Sequence, residues 1–277
     1  MSTIIEFMGL LGGGKSTVAR GLADRLERRG YTCRMRPRID DWILRSDRLR
    51  RVHEPAATRV HERLKPAALA LDAATHPRVY ASVLALTATC RPLNAGERLN
   101  RARRLLGWAR QTRALGRLAP DDALILDEGL MHHLWPIIMI GGAYRDRVLQ
   151  AAARALARQP RRIIVRVRTD PDTALARIRC RAGLGPEEPC RLWLHHRATP
   201  AEARALMHRL AECDRLAAEA IRTARLASRL IEIDTDADPG DNAEHLAELI
   251  EPTLAEQRRG AGSAGGTRPR ARASRRS

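Results

Sequence analysis

The chain has 277 residues, 44 % hydrophobic and 30 % charged, proportions typical of soluble globular chains and enough length for a sizeable buried core, which excludes a disulfide-stapled miniprotein and wholesale disorder. Its net charge is +18, yet Lys15 and Lys65 are the only lysines among 50 basic residues, so the excess is an arginine bias spread along the chain that favours anionic partners without naming one. Aromatic content of 3 % argues against the clustered rings of a single-strand-binding surface.

The compartment and membrane status follow from the same inspection. Cys33, Cys90, Cys180, Cys190 and Cys213 form an odd set without a CxxC pair, and the first residues lack the basic-then-apolar plan of a signal peptide, so a reducing cytoplasm is expected. The longest strongly apolar run, residues 134–143, is interrupted by Pro136 and is about half the length needed to span a bilayer. No membrane association is expected.

Taken in order, Thr3 to Met8 is a short apolar, β-branched run, followed by a glycine cluster and then by Val18, Leu22 and Leu26 at helical spacing up to Gly30. Strand, loop and helix are predicted, and Tyr31 to Arg36 continues as a second strand, which makes a βαβ unit and a parallel sheet. Within the loop, Gly9-Leu10-Leu11-Gly12-Gly13-Gly14-Lys15-Ser16 fits GxxxxGK[ST] between strand and helix. Glycines there let successive N–H groups converge on phosphate oxygens, and the helix N-terminus adds its positive end. Gly9, Gly12, Gly13, Gly14, Lys15, Ser16 and Thr17 are therefore the candidate nucleotide-binding residues, with Lys15 reaching the β- and γ-phosphates and the Ser16 hydroxyl on Mg²⁺.

From Asp40 to about Leu118 the chain reads as helices with breaks near Pro55, Pro77 and Pro92, a helical insertion. Asp122 to Asp127 then reads as a buried strand ending in carboxylates, the form of a Walker B element, and Arg162 to Arg168 and Leu230 to Asp234 complete five strands. Asp127 is the first choice for Mg²⁺ or for receiving the acceptor's proton and Glu128 the second, because adjacent strand residues face opposite ways. Helix starts are marked at Asp170-Pro171, at Thr199-Pro200-Ala201-Glu202 and at Asp241 with Glu244. Ala182 to Ala198 reads as loop, and residues 258–277 as a low-complexity basic tail that stays disordered.

With these pieces in hand, the chain resembles a P-loop kinase of the nucleoside and nucleotide kinase class, closest in layout to thymidylate kinases. The likeness rests on the phosphate loop, the Asp127 strand, residues 174–183, and Ile233-Asp234-Thr235-Asp236 before the last helix. It implies a three-layer α/β fold with a mainly parallel five-stranded sheet over residues 1–257, an acceptor-binding helical insertion over 40–118, and a lid over 177–198. Arg177 and Arg181, at i and i+4 on one helix face, would close on the transferring phosphoryl. Where thymidylate kinases carry Arg-Glu-Pro this chain has Arg36-Pro37-Arg38, which speaks against thymidylate as acceptor. Arg36 and Arg38 would bind an acceptor's anionic group, Asp40 or Asp41 would act as base, and His132 and His133 would line the acceptor pocket at the sheet edge.

The implied activity is transfer of the ATP γ-phosphoryl to a hydroxyl or phosphate of a small molecule, with ATP and Mg²⁺ as cofactors. The oligomeric state is open, with a homodimer as one option; nucleic acid is not an expected partner. The rival from another class is a regulatory ATPase acting on a protein or polynucleotide. GTPase and transporter signatures are missing from the sequence, which leaves the kinase ahead.

Overall fold

The computed structural model describes residues 2–35, 70–89, 93–118, 122–127, 146–157, 162–193, 196–223, 230–235 and 238–263, for 111–118, 191–197 and 261–263 the backbone alone. In chain order the elements are β1 (Thr3–Gly9), α1 (Lys15–Arg28), β2 (Cys33–Met35), α2 (Pro77–Ala88), α3 (Ala95–Leu118), β3 (Ala123–Leu126), α4 (Asp146–Ala157), β4 (Arg162–Arg168), α5 (Pro171–Arg181), β5 (Cys190–Trp193), β6 (His196–Ala198), α6 (Pro200–Ile221), β7 (Leu230–Asp234) and α7 (Pro239–Ser263). Five strands form one sheet in the order β2-β3-β1-β4-β7, and every pairing is parallel.

Two helical layers cover the sheet. Ile5 and Phe7 of β1 pack with Val18, Leu22 and Leu26 of α1 and Leu246, Ile250 and Leu254 of α7. On the other face Met8 and Ile164 meet side chains of α2, α3, α4 and α6. All seven residues of β1 are buried, which is why the strand reads as a continuous apolar run instead of an alternating one. Each fully buried Leu, Ile or Phe in these layers contributes about 1.5–3 kcal/mol relative to exposure. The α/β fold of P-loop type is thus present, with β1 central and its C-terminal end beside the crossover to either side.

Local signals set most helix starts. Asp170 caps α5 by accepting the Thr173 N–H at 2.8 Å, and Thr199 and Glu202 form the expected capping box on α6. Pro77 opens α2 at its first turn. An unforeseen cap starts α3, where Asn94 and Glu97 exchange two 2.9 Å bonds between side chain and backbone.

Three expectations need correction. The helix expected to start at Asp241 begins at Pro239, because Asp238 accepts the Gly240 N–H at 2.6 Å while Glu244 is drawn off to Arg25 and Arg29 of α1. The stretch 182–198 expected to be loop contains the antiparallel β5–β6 pair, pinned by burial of Cys190 and Ala198. Residues 258–263, assigned to the disordered tail, extend α7, held by Arg258, which donates to both oxygens of Asp122 at 3.0 and 2.6 Å and lies 4.4 Å from the centroid of the Tyr31 ring.

That clasp gives a pH-dependent stability. Hydrogen bonding to Arg258 lowers the Asp122 carboxyl to about 2, against about 3.9 in an unfolded chain. A carboxyl depressed on folding contributes stability that is complete above the unfolded value and is lost as pH falls through about 2. Thermal melts between pH 5 and pH 2.5 should therefore show a shallower acid decline in Arg258→Ala than in the wild type; identical slopes would remove the clasp from the account.

Candidate active site

The strand ends converge on the segment between β1 and α1. Gly9, Gly12 and Gly14 have positive φ of 133°, 75° and 83°. Two of these positions also exclude any side chain on space alone, since a Cβ at Gly9 would lie 2.3 Å from the Val167 carbonyl oxygen and one at Gly12 2.4 Å from that of Ala174. The Gly13 N–H closes the turn on Leu10 O at 3.1 Å. Gly14 is the N-cap of α1, with no side-chain cap and no acid in the first turn. The first N–H groups of α1 are thus left without a side-chain cap, the arrangement in which a helix N-terminus favours an anion.

Lys15 starts the helix with its ammonium turned back onto the carbonyls at the end of β1. It is 6 % exposed, and Nζ donates to the carbonyls of Gly9 at 2.9 Å and Leu10 at 2.6 Å. The next residue reaches across the sheet edge: Ser16 Oγ donates to Asp127 Oδ2 at 2.8 Å. This contact joins positions 111 residues apart, and the parallel pairing of β1 with β3, Glu6 opposite Leu126, is what brings them together. Asp127 is 4 % exposed.

The arginines of α5 sort by face. Arg177 and Arg181 line a cavity of about 370 Å³ together with Gly12, Gly14, Thr17, Val18, Cys180, Thr235, Pro239 and Asn242. Arg179 turns the other way, is buried, and donates to the carbonyls of Gly185 at 3.2 Å and of Glu188, shaping the loop that follows. Contact of Gly12 with the start of α5 fixes the distance between this helix and the glycine loop.

Several residues with structural tasks here have no counterpart among the expected ones. Thr169 Oγ1, just past β4, donates to Gly13 O at 3.2 Å and lies 2.8 Å from Thr235 Oγ1, just past β7. Asn242 Nδ2 holds Asp234 O at 2.7 Å at the cavity wall. For Thr169 and Thr235 the signal in the sequence is position alone, a hydroxyl directly after a strand. Asp214, in the middle of α6, is 5 % exposed and accepts from Arg166 Nε at 2.7 Å, while Arg166 Nη1 donates to Glu232 at 2.8 Å. Burial pushes the Asp214 carboxyl up, and Arg166 and Lys15 pull against it.

The structure therefore gathers Gly9, Gly12, Gly13, Gly14, Lys15, Ser16, Thr17, Asp127, Arg177 and Arg181 around one loop. Glu128, Arg36, Arg38, Asp40, Asp41, His132 and His133 lie outside the described residues. No described helix is long and apolar enough to cross a membrane.

No protein-family model matches the chain, and no curated protein matches it. Among solved structures it is similar to deoxyadenosine kinase from M. mycoides with products dCMP and a flexible dCDP bound, at a TM-score of 0.43 and 14 % identity over 90 % of this chain and 99 % of that one. The same enzyme with bound dATP gives 0.41 and 13 % over 91 % and 99 %, and with bound dCTP 0.42 and 14 % over 91 % and 99 %. Likeness at this level carries no functional weight.

Proposed function

We propose that this chain is an ATP- and Mg²⁺-dependent phosphotransferase that moves the γ-phosphoryl of ATP to a hydroxyl or phosphate of a small acceptor. One observation carries the reading: two arginines one helical turn apart line the same cavity as the phosphate-loop glycines, beside a lysine and a serine–aspartate pair. Phosphoryl transfer needs little covalent chemistry from the protein and much positioning and charge neutralisation. Lys15 would leave its two carbonyls for the β- and γ-phosphates, the loop N–H groups would bind the remaining oxygens, and Arg177 and Arg181 would take up charge on the transferring group.

The donor set suits magnesium. Ser16 Oγ and Asp127 Oδ2 are hard oxygens 2.8 Å apart, close to the roughly 2.9 Å between adjacent ligands of an octahedral ion with bonds near 2.0–2.1 Å. Ser16 and Asp127 would hold the ion, which supplies charge neutralisation across the β- and γ-phosphates when bound. The arrangement over 177–198 is proposed as the lid, the helices within 40–118 as the acceptor side with Arg36, Arg38, Asp40 and His132, and Glu128 as the second acid beside Asp127.

The test is to incubate the protein with Mg·ATP and a panel of nucleosides, nucleoside monophosphates, sugars and amino alcohols, reading products by mass spectrometry with Lys15→Ala as control. A phosphorylated acceptor that is absent from the control supports the kinase and names the acceptor class. ATP hydrolysis that polynucleotide stimulates and no small acceptor does would overturn it in favour of a regulatory ATPase.

A further inference from the structure

The cavity that Arg177 and Arg181 share with Gly12 and Gly14 is also lined by Val18 in the first turn of α1 and by Pro239 and Asn242 at the start of α7. Its volume of about 370 Å³ is within the roughly 300–1,000 Å³ of small-ligand sites. Asn242 is 7 % exposed, and its backbone and side chain are both tied down: the backbone N–H donates to Asp238 O at 3.0 Å and Nδ2 to Asp234 O at 2.7 Å. The Asp234 carbonyl requires a donor, so the amide cannot turn over without setting oxygen against oxygen. Oδ1 is thereby the polar atom that Asn242 has left for the cavity, and among the described residues no donor reaches it. The other lining groups are of a different kind. Arg177 and Arg181 only donate, and the Thr235 hydroxyl is engaged with Arg168 O at 3.1 Å and with Thr169 Oγ1 at 2.8 Å. Of the described lining side chains, Asn242 alone presents an atom that can only accept.

We propose that this cavity takes the nucleobase of the phosphoryl donor and that Asn242 is the specificity residue that reads it, Oδ1 accepting from an exocyclic amino group such as the 6-amino group of adenine. The inference rests on the phosphate-binding reading of the glycine loop. A nucleotide whose phosphates sit on the loop N–H groups has its sugar and base a few bonds away, and the cavity that Gly12 and Gly14 line includes Asn242. Val18 and Pro239 offer apolar surface to the faces of a base, which supplies affinity without choice. The choice lies at Oδ1. A 6-amino group satisfies it, a bare C–H leaves a buried acceptor unpaired, and a 6-oxo group sets acceptor against acceptor. Because the amide is already held by Asp234 O, it does not rotate to suit the wrong edge.

The test is isothermal titration calorimetry of the full chain with inorganic tripolyphosphate, with ADP, and with purine riboside 5′-diphosphate, in which hydrogen replaces the 6-amino group. Tripolyphosphate should bind, and ADP should bind about tenfold more tightly than its deamino analogue, the size of one hydrogen bond to an acceptor that otherwise goes unpaired. Asn242→Leu and Asn242→Asp both lose the bond to Asp234 O, and only the second keeps an acceptor. The leucine variant should therefore take the two diphosphates alike, while the aspartate variant keeps the preference for ADP. Both ligands carry the same phosphates, so the charge that aspartate adds cancels from the ratio. A residue that merely supports the cavity wall would weaken both ligands in both variants and leave the ratio at its wild-type value, which overturns the base-reading role. If neither variant folds, the wild type still decides. Equal affinity for the two diphosphates overturns the inference while leaving the phosphate loop standing, and a wild-type protein that takes no tripolyphosphate overturns both.

Discussion

Lys15→Ala is expected to lower phosphoryl transfer about a thousandfold, with the loss in kcat exceeding any rise in KM for ATP. The loop N–H groups and the helix end remain in the variant, so part of the ground-state affinity survives. On the proposed function, what goes is the positive charge that would neutralise the γ-phosphoryl oxygens, and single preorganised groups of this kind are worth about 10²–10³ in rate. The fold should persist, because Lys15 Nζ bonds two loop carbonyls while α1 is anchored by buried Val18, Leu22 and Leu26. Circular dichroism would check the fold and a coupled ADP-release assay the rate. Activity within tenfold of the wild type would sink the role given to this residue.

The largest effect on stability is expected in the sheet. Glu6 of β1 and Arg162 of β4 form an ion pair at 2.7 Å with both side chains 0 % exposed, on the face away from α1. Removing one partner leaves a buried charge, which costs about 3–5 kcal/mol; for a chain of this size that lowers the melting temperature by roughly 6–20 °C. Glu6→Leu alone and Arg162→Leu alone should each show this fall. The double replacement should return close to wild-type stability or exceed it, since two hydrophobic side chains escape the desolvation that the ion pair bears. If the double variant instead shows the sum of the two losses, the pair is net stabilising and the desolvation argument fails here.

Much of this molecule is legible in its sequence where information is local. Residues Leu230 to Asp234 and Arg162 to Arg168 read as strands from composition and form strands over those spans. Asp170-Pro171 and Thr199-Pro200 announce helix starts because an N-cap acts within three residues. The glycine loop, Lys15 and Ser16 are legible for the same reason. Asp127 is legible by type, although its approach to Ser16 depends on strand order, which a strand's own residues do not state. Asp214 is not legible. In the run Leu210-Ala211-Glu212-Cys213-Asp214-Arg215 it looks like one more acid on a solvated helix, and only the packing of α6 against Arg166 takes it out of water. Likewise α7 continues past Gln257 because Arg258 meets Asp122, 136 positions earlier, and no local pattern encodes that meeting.

The place of β1 has a consequence for how the chain is made. It is synthesised before both of its sheet neighbours, yet it occupies the middle of the sheet, with Thr3 paired to Ala123 and Ile4 to Arg162. At about 5–20 residues per second, synthesis keeps this strand without its second neighbour for roughly 10–30 s. During that time a seven-residue segment, TIIEFMG, buried throughout in the finished protein, presents apolar faces and open edges to whatever is nearby. Pairing at such sequence separation is also slow to nucleate. Yield in recombinant cells is thus expected to depend on translation rate and chaperone supply more than on the melting temperature of the finished molecule.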